Sequence, residues 1–162
     1  MKWKAVVAGV LTLAAVIAAG LYSLRATQPP AGIALQPDNA SVVQRGGAVY
    51  QANCASCHGA QLQGQPNWRE RGADGLLPAP PHDASGHTWH HPDEVLFRLT
   101  KHGVGKEARI PDYKTAMPVY EGVLSDEDII AVLSWIKAQW PPDIRRRQEL
   151  IDAEHLKARV GS

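Results

Sequence analysis

The chain has 162 residues, enough for one domain with attachments, and a formal net charge of +1. That balance gives no electrostatic case for a nucleic-acid partner or an acidic surface. One phenylalanine against five tryptophans is a lopsided aromatic set for a core of this size.

Lys2 and Lys4 precede an uncharged, mostly apolar run over residues 5–24, which Arg25 closes. Twenty residues at a rise of about 1.5 Å span about 30 Å, the thickness of a bilayer's hydrocarbon. Trp3 and Tyr22 fall near the two ends, where amphipathic rings prefer to sit. Residues 1–25 therefore read as a transmembrane anchor with its amino end in the cytoplasm, or as a cleavable signal peptide. Cleavage is poorly served. Ala18-Ala19-Gly20 lies inside the run, and Leu24-Arg25-Ala26 puts leucine where a small residue is preferred. Either reading exports the remainder, in which 14 Lys and Arg stand against 16 Asp and Glu, a net of −2. Residues 26–40 read as a linker, because residues 27–39 hold three prolines and no sustained periodicity.

Residues 41–53 read as a helix with Val42, Val43, Val49 and Tyr50 as its apolar positions. Gly46 and Gly47 sit inside it at a cost of about 1 kcal/mol each against alanine, which marks close approach of another backbone. The helix runs into Cys54-Ala55-Ser56-Cys57-His58, which contains both cysteines of the chain. Cys-x-x-Cys-His is the attachment pattern for c-type haem. Two thiols three residues apart lie on one face of a helical turn and reach two vinyl groups on one porphyrin edge. The next residue presents an imidazole to the iron. A thioredoxin-like pair would need a βαβ surround, and a zinc finger a second ligand pair; neither is present. A large apolar cofactor also accounts for the sparse aromatic set.

Gly46 lies eight residues before Cys54 and Tyr50 four before it. In this the chain resembles class I cytochromes c, and the likeness implies an all-α domain over residues 41–140 around one covalent haem c. The resemblance also implies that the first helix crosses the last at Gly46 and Tyr50, against Val132 and Trp135.

Residues 59–87 are rich in glycine and proline and read as loop wrapped on the haem. The family likeness implies a proline carbonyl there that accepts a hydrogen bond from the His58 ring, with Pro80 and Pro81 as candidates. Trp68, Arg69 and Arg71 are candidates for the haem propionates, since guanidinium suits carboxylates, or are simply solvated. His82, His87, His90 and His91 cluster with Asp83. They read either as a copper or zinc site or as loop residues that cap the next helix and bond propionates. The stretches around them, Leu77-Pro78-Ala79-Pro80-Pro81-His82-Asp83 and Gly86-His87-Thr88-Trp89-His90-His91, resemble a subgroup of small bacterial monohaem cytochromes c.

Residues 92–102 read as a short helix with Pro92 in its first turn, Asp93 and Glu94 at the positive dipole end and Gly103 as its stop. Met117, the only methionine besides Met1, lies 59 residues after His58 and precedes Pro118. The family likeness implies that this Met-Pro step supplies the sixth iron ligand. A methionine filling a core gap, or a histidine ligand such as His102, are the alternatives. Tyr113 and Tyr120 flank this loop. Ser125 is a natural N-cap for a final core helix whose apolar face includes Ile129, Ile130, Leu133 and Ile136. Trp140-Pro141-Pro142 ends it, and residues 141–162 form a charged helical tail that reads as a solvated appendage, with Ile144, Leu150, Ile151 and Leu156 available to seat it.

These features imply one-electron transfer by a haem held between His58 and Met117, in a periplasmic or membrane respiratory chain. The chain is expected to be an electron carrier rather than an enzyme, alone or as the cytochrome subunit of an oxidoreductase complex. Its partners would be a redox donor and acceptor, and no small-molecule substrate is expected. The alternatives are a haem enzyme or sensor with an open sixth position, and a metal-handling protein using the cluster from His82 to His91.

Overall fold

The computed structural model describes residues 32–161, and among the described residues there are helices and loops but no strand. The anchor or export segment proposed for residues 1–25 lies outside the described residues. No helix among those described is long and apolar enough to cross a membrane. In chain order the elements are α1 (Ala40–Asn53), α2 (Ala55–His58), a 3-10 turn (Thr88–His90), α3 (Asp93–His102), α4 (Val104–Glu107), α5 (Asp126–Ala138) and α6 (Pro142–Val160). The all-α expectation holds for them.

The packing of α1 on α5 organises the domain. A β-carbon at Gly46 would lie far inside van der Waals contact with the Ala131 carbonyl oxygen and 2.8 Å from Trp135 Cβ. The backbones touch here, which only glycine permits. One turn on, the fully buried Tyr50 ring packs at 4.6 Å from Trp135. The expected crossing is present, with one difference: Ala131 rather than Val132 meets Gly46, and Val132 is buried in the core. Arg45 pairs with Asp128 at 2.8 Å and ties α1 to the start of α5.

Local chemistry sets the helix ends. The Asn39 side chain accepts from Val42 N at the start of α1. Ser125 Oγ accepts from Asp128 N at 3.1 Å and caps α5. Pro92 stands at the N-cap of α3, and Gly103 ends that helix at φ +87°, in the left-handed region.

Two stretches read as peripheral belong to the packed domain. Within the expected linker, Leu35 is buried, its N–H donates to Asp93 Oδ2 at 2.9 Å, and Gln36 N–H donates to Ser134 Oγ at 2.9 Å. The tail is not a solvated appendage. Gln148 on α6 is fully buried, and its Nε2 donates to Asp93 Oδ1 at 2.7 Å and to the His91 carbonyl at 3.2 Å. Asp152 accepts from Asp93 N–H at 2.9 Å, Glu94 pairs with His155 and Arg159, and Arg145 pairs with Asp38. At the centre Lys137 Nζ lies 3.1 Å from Asp93 Oδ1, both side chains being almost fully buried. The tail docks mainly through polar groups, with Ile144 alone of its expected seating residues packed against the core cluster, so a search for an apolar stripe does not find it.

Candidate haem site

Cys54 through His58 form a single turn that continues α1. Cys54 N–H donates to the Tyr50 carbonyl, and the Cys54 carbonyl accepts from Cys57 N–H at 3.2 Å and His58 N–H at 2.9 Å. Neither cysteine is in a disulfide; Cys54 is half-buried and Cys57 exposed. Before attachment of any group, burial pushes the Cys54 thiol up to about 11.

His58 is buried, and its Nδ1 lies 2.8 Å from the carbonyl oxygen of Pro80. A carbonyl only accepts, so Nδ1 carries the proton and Nε2 keeps its lone pair. Burial lowers the His58 pKa while the bond to Pro80 opposes that shift. Of the two candidate prolines, Pro80 supplies the carbonyl; Pro81 is buried directly behind it. Gly64 makes the approach possible. At φ +66° it donates to the His58 carbonyl at 2.8 Å, and a β-carbon there would strike the Pro80–Pro81 peptide. Tyr50 OH donates to the Gly59 carbonyl at 2.8 Å and Tyr120 OH to the Asn53 carbonyl at 2.7 Å, clamping the cysteine turn from both flanks.

Sequence reasoning missed the place of His82. Its ring stacks on His58 at 4.0 Å between centroids and 23° between planes, and its Nδ1 lies 2.8 Å from Thr88 Oγ1. Its N–H donates to the Leu62 carbonyl and its own carbonyl accepts from Trp140 Nε1, both at 2.8 Å. Burial pulls its pKa well below the ordinary histidine value. Its position two residues after Pro80 is the one signal in the sequence that places it near the proximal side.

The other histidines disperse. His87 stacks on Trp68 at 5.4 Å, with His91 edge-on at 5.7 Å, while His90 stacks on Trp89 at 3.6 Å. Among the described residues no group of three or more His, Cys, Asp or Glu is arranged to hold a metal ion. The copper or zinc reading of the cluster therefore finds no ligand arrangement among the described residues. Arg69 lies over Trp68 at 4.0 Å, and Arg71 donates to the Gly75 carbonyl at 2.7 Å with its guanidinium 6.0 Å from the Tyr113 ring.

Met117 is half-buried on the loop between α4 and α5, packs against the core, and donates through its N–H to Thr115 Oγ1 at 3.0 Å. The end of this loop is pinned to α3, where Glu121 N–H donates to the Lys101 carbonyl at 2.9 Å. His102, the rival ligand, meets Glu121 through its Nδ1 at 3.2 Å. The residues suit an iron porphyrin: two cysteines on one turn to attach it, an imidazole with a fixed tautomer, and a soft thioether.

An all-helical domain with this turn and this proline-oriented histidine defines a c-type cytochrome. A family model described as "Cytochrome C oxidase, cbb3-type, subunit III" matches residues 41–136, more than half of the chain. The chain belongs to that family: it is a c-type cytochrome with covalently bound haem c, and its work is haem-based electron transfer with redox partners. No curated protein and no solved structure matches the chain.

Proposed function

We propose that this cytochrome is a one-electron carrier with a single haem, bonded as thioethers to Cys54 and Cys57 and ligated by His58 and Met117. The observation that carries this reading is the 2.8 Å bond between His58 Nδ1 and the Pro80 carbonyl, which leaves Nε2 as the free donor of a buried, oriented ring. The haem itself supplies the one-electron chemistry. The protein's residues attach it, orient it and exclude water. Pro80 makes the proximal imidazole a stronger donor. The Met117 thioether is a soft ligand that favours reduced iron and raises the potential. Two strong ligands leave no position for a substrate, which favours a carrier over a haem enzyme or sensor.

The apolar run over residues 5–24, with Lys2 and Lys4 before it, supports tethering to the cytoplasmic membrane with the haem domain in the periplasm. The family's description points to a terminal oxidase as the acceptor, either as a partner or as an assembly in which this chain is the cytochrome subunit.

Replacement of Met117 tests the ligand assignment. In the full-length, haem-loaded protein Met117→Ala should leave the haem attached and lower the midpoint potential by about 0.1 V or more, within the roughly 0.8 V that axial ligation spans. It should also open the iron to carbon monoxide. An unchanged potential, or rapid carbon monoxide binding by the wild type, would remove Met117 from the ligand set.

A further inference from the structure

His82 does more than fill space beside the haem site. A leucine could fill the same volume but would offer no flat ring face to His58, and a half-buried imidazole calls for a hydrogen-bond partner. The fold supplies it: Thr88, buried on the 3-10 turn, holds His82 Nδ1 at 2.8 Å. The backbone is fixed on both sides, by Leu62 at the His82 N–H and by Trp140 at its carbonyl. The segment folds back tightly enough that a β-carbon at Gly86 would overlap the Pro81 carbonyl. The product of this construction is a ring lying nearly parallel on His58 at 4.0 Å.

We infer that His82 is a positioning residue for the proximal ligand. The Pro80 carbonyl holds the His58 Nδ1–H, but a single hydrogen bond tolerates a swing of the imidazole about its Cβ–Cγ bond, which carries Nδ1–H out of line with the carbonyl. The His82 ring stacked on the face of His58 blocks that swing. Together the two contacts fix both the aim of Nε2 and the azimuth of the ring plane. The strength of the Nδ1–H···O=C bond depends on that azimuth, and with it the electron density the imidazole donates. Thr88 acts one step further out, through His82.

The inference rests on the assignment of His58 as proximal ligand. Its test uses the full-length, haem-loaded protein and the variants Thr88→Val, Thr88→Ser, His82→Leu and Thr88→Val/His82→Leu. In the oxidised protein the spread of haem-methyl NMR shifts reports the azimuth of the axial imidazole. In the reduced protein exchange of the His58 Nδ1 proton reports the bond to Pro80. Thr88→Val should change the haem-methyl pattern, speed that exchange and move the midpoint potential upward, because a loosened bond makes the imidazole a poorer donor. His82→Leu should do the same more strongly, Thr88→Ser should match the wild type, and the double variant should match His82→Leu alone. If His82→Leu does not yield folded holoprotein, the contrast between Thr88→Val and Thr88→Ser decides. Wild-type shifts, exchange and potential in Thr88→Val and His82→Leu would overturn the inference while leaving His58 as ligand. So would a Thr88→Val effect that persists in full on the His82→Leu background. A wild-type holoprotein with no iron-bound histidine signature would overturn the ligand assignment itself, and this inference with it.

Discussion

At the scale of single residues, Gly46 shows how a steric effect outweighs a local preference. Alanine gains about 1 kcal/mol over glycine inside a helix. At Gly46 the new methyl group would have to enter the Ala131 carbonyl and the Trp135 β-carbon, both on rigid α5. Overpacking of this kind costs about 1–3 kcal/mol, and more where backbone must move. Gly46→Ala should therefore destabilise the domain by about 2 kcal/mol, measured by thermal or denaturant unfolding of the holoprotein. Gly47→Ala meets only the Trp135 indole at 3.1 Å, a side chain that can yield, and should be close to neutral. Equal effects at the two sites would contradict the observed crossing. Gly46, Tyr50 and the Cys-x-x-Cys-His turn were legible in the sequence because their meaning lies in fixed spacings along one helix. His82 was not. Its role arises only when the segment around residues 80–88 folds back beneath His58, and no periodicity encodes that.

At the scale of elements, α6 shows why a charged helix can belong to a core. Its sequence offers no sustained apolar face, and Leu150 and Val160 remain exposed. What docks it is a polar network, with Ile144 packed against the core. The Asp93 carboxylate receives Lys137 Nζ, Gln148 Nε2 and Leu35 N–H, so α3, α5, α6 and the segment before α1 meet at one side chain. Gln148 Oε1 is the one buried side-chain polar atom among the described residues that lacks a partner. The net value of such a network over an apolar one is small, but breaking it from one side is costly. Lys137→Met leaves a buried carboxylate without its cation and should destabilise the domain by about 3 kcal/mol. Gln148→Ala removes hydrogen bonds to a charged group and to the His91 carbonyl and should cost about 2 kcal/mol. Limited proteolysis should then release α6 from the Gln148→Ala protein before the rest of the domain is cut. If both variants melt with the wild type, the network holds nothing together. The relevant partners are 44 and 55 residues apart in sequence, which is why the tail reads as solvated until the fold is known.

At the scale of the whole molecule, charge enters through pH. Residues 26–162 carry a net of −2, too little for self-repulsion to govern stability near neutrality. Individual groups decide instead, and their signs differ. His91 is held below the ordinary histidine value of 6.5 by burial first and by His87 and His90 second; His87 is lowered by burial and by His90 and Arg69, and is the more exposed of the two. A histidine with a depressed folded pKa takes up its proton in the unfolded chain first. Stability is therefore full above 6.5 and falls as the pH drops toward the depressed folded values, below which the loss is complete. Asp152 has the opposite sign: burial raises its pKa, so its protonation on further acidification relieves a cost that is present at neutrality. Asp128 and Glu121 are lowered by hydrogen bonds from Arg45 and His102, so they contribute stability at neutrality that is lost when they protonate in stronger acid; they sit at the surface, where solvent screens the effect. The melting temperature of the holoprotein should accordingly decline as the pH falls below about 7, with each of these two histidines contributing less than about 1 kcal/mol because both are partly exposed. His91→Gln should flatten that decline, and His87→Gln/His91→Gln should flatten it further. A wild-type melting temperature that is level across this range, or a decline as steep in the double variant as in the wild type, would mean that these two rings titrate alike in the folded and unfolded chain; the part owed to His82, which burial holds lower still, should survive both changes.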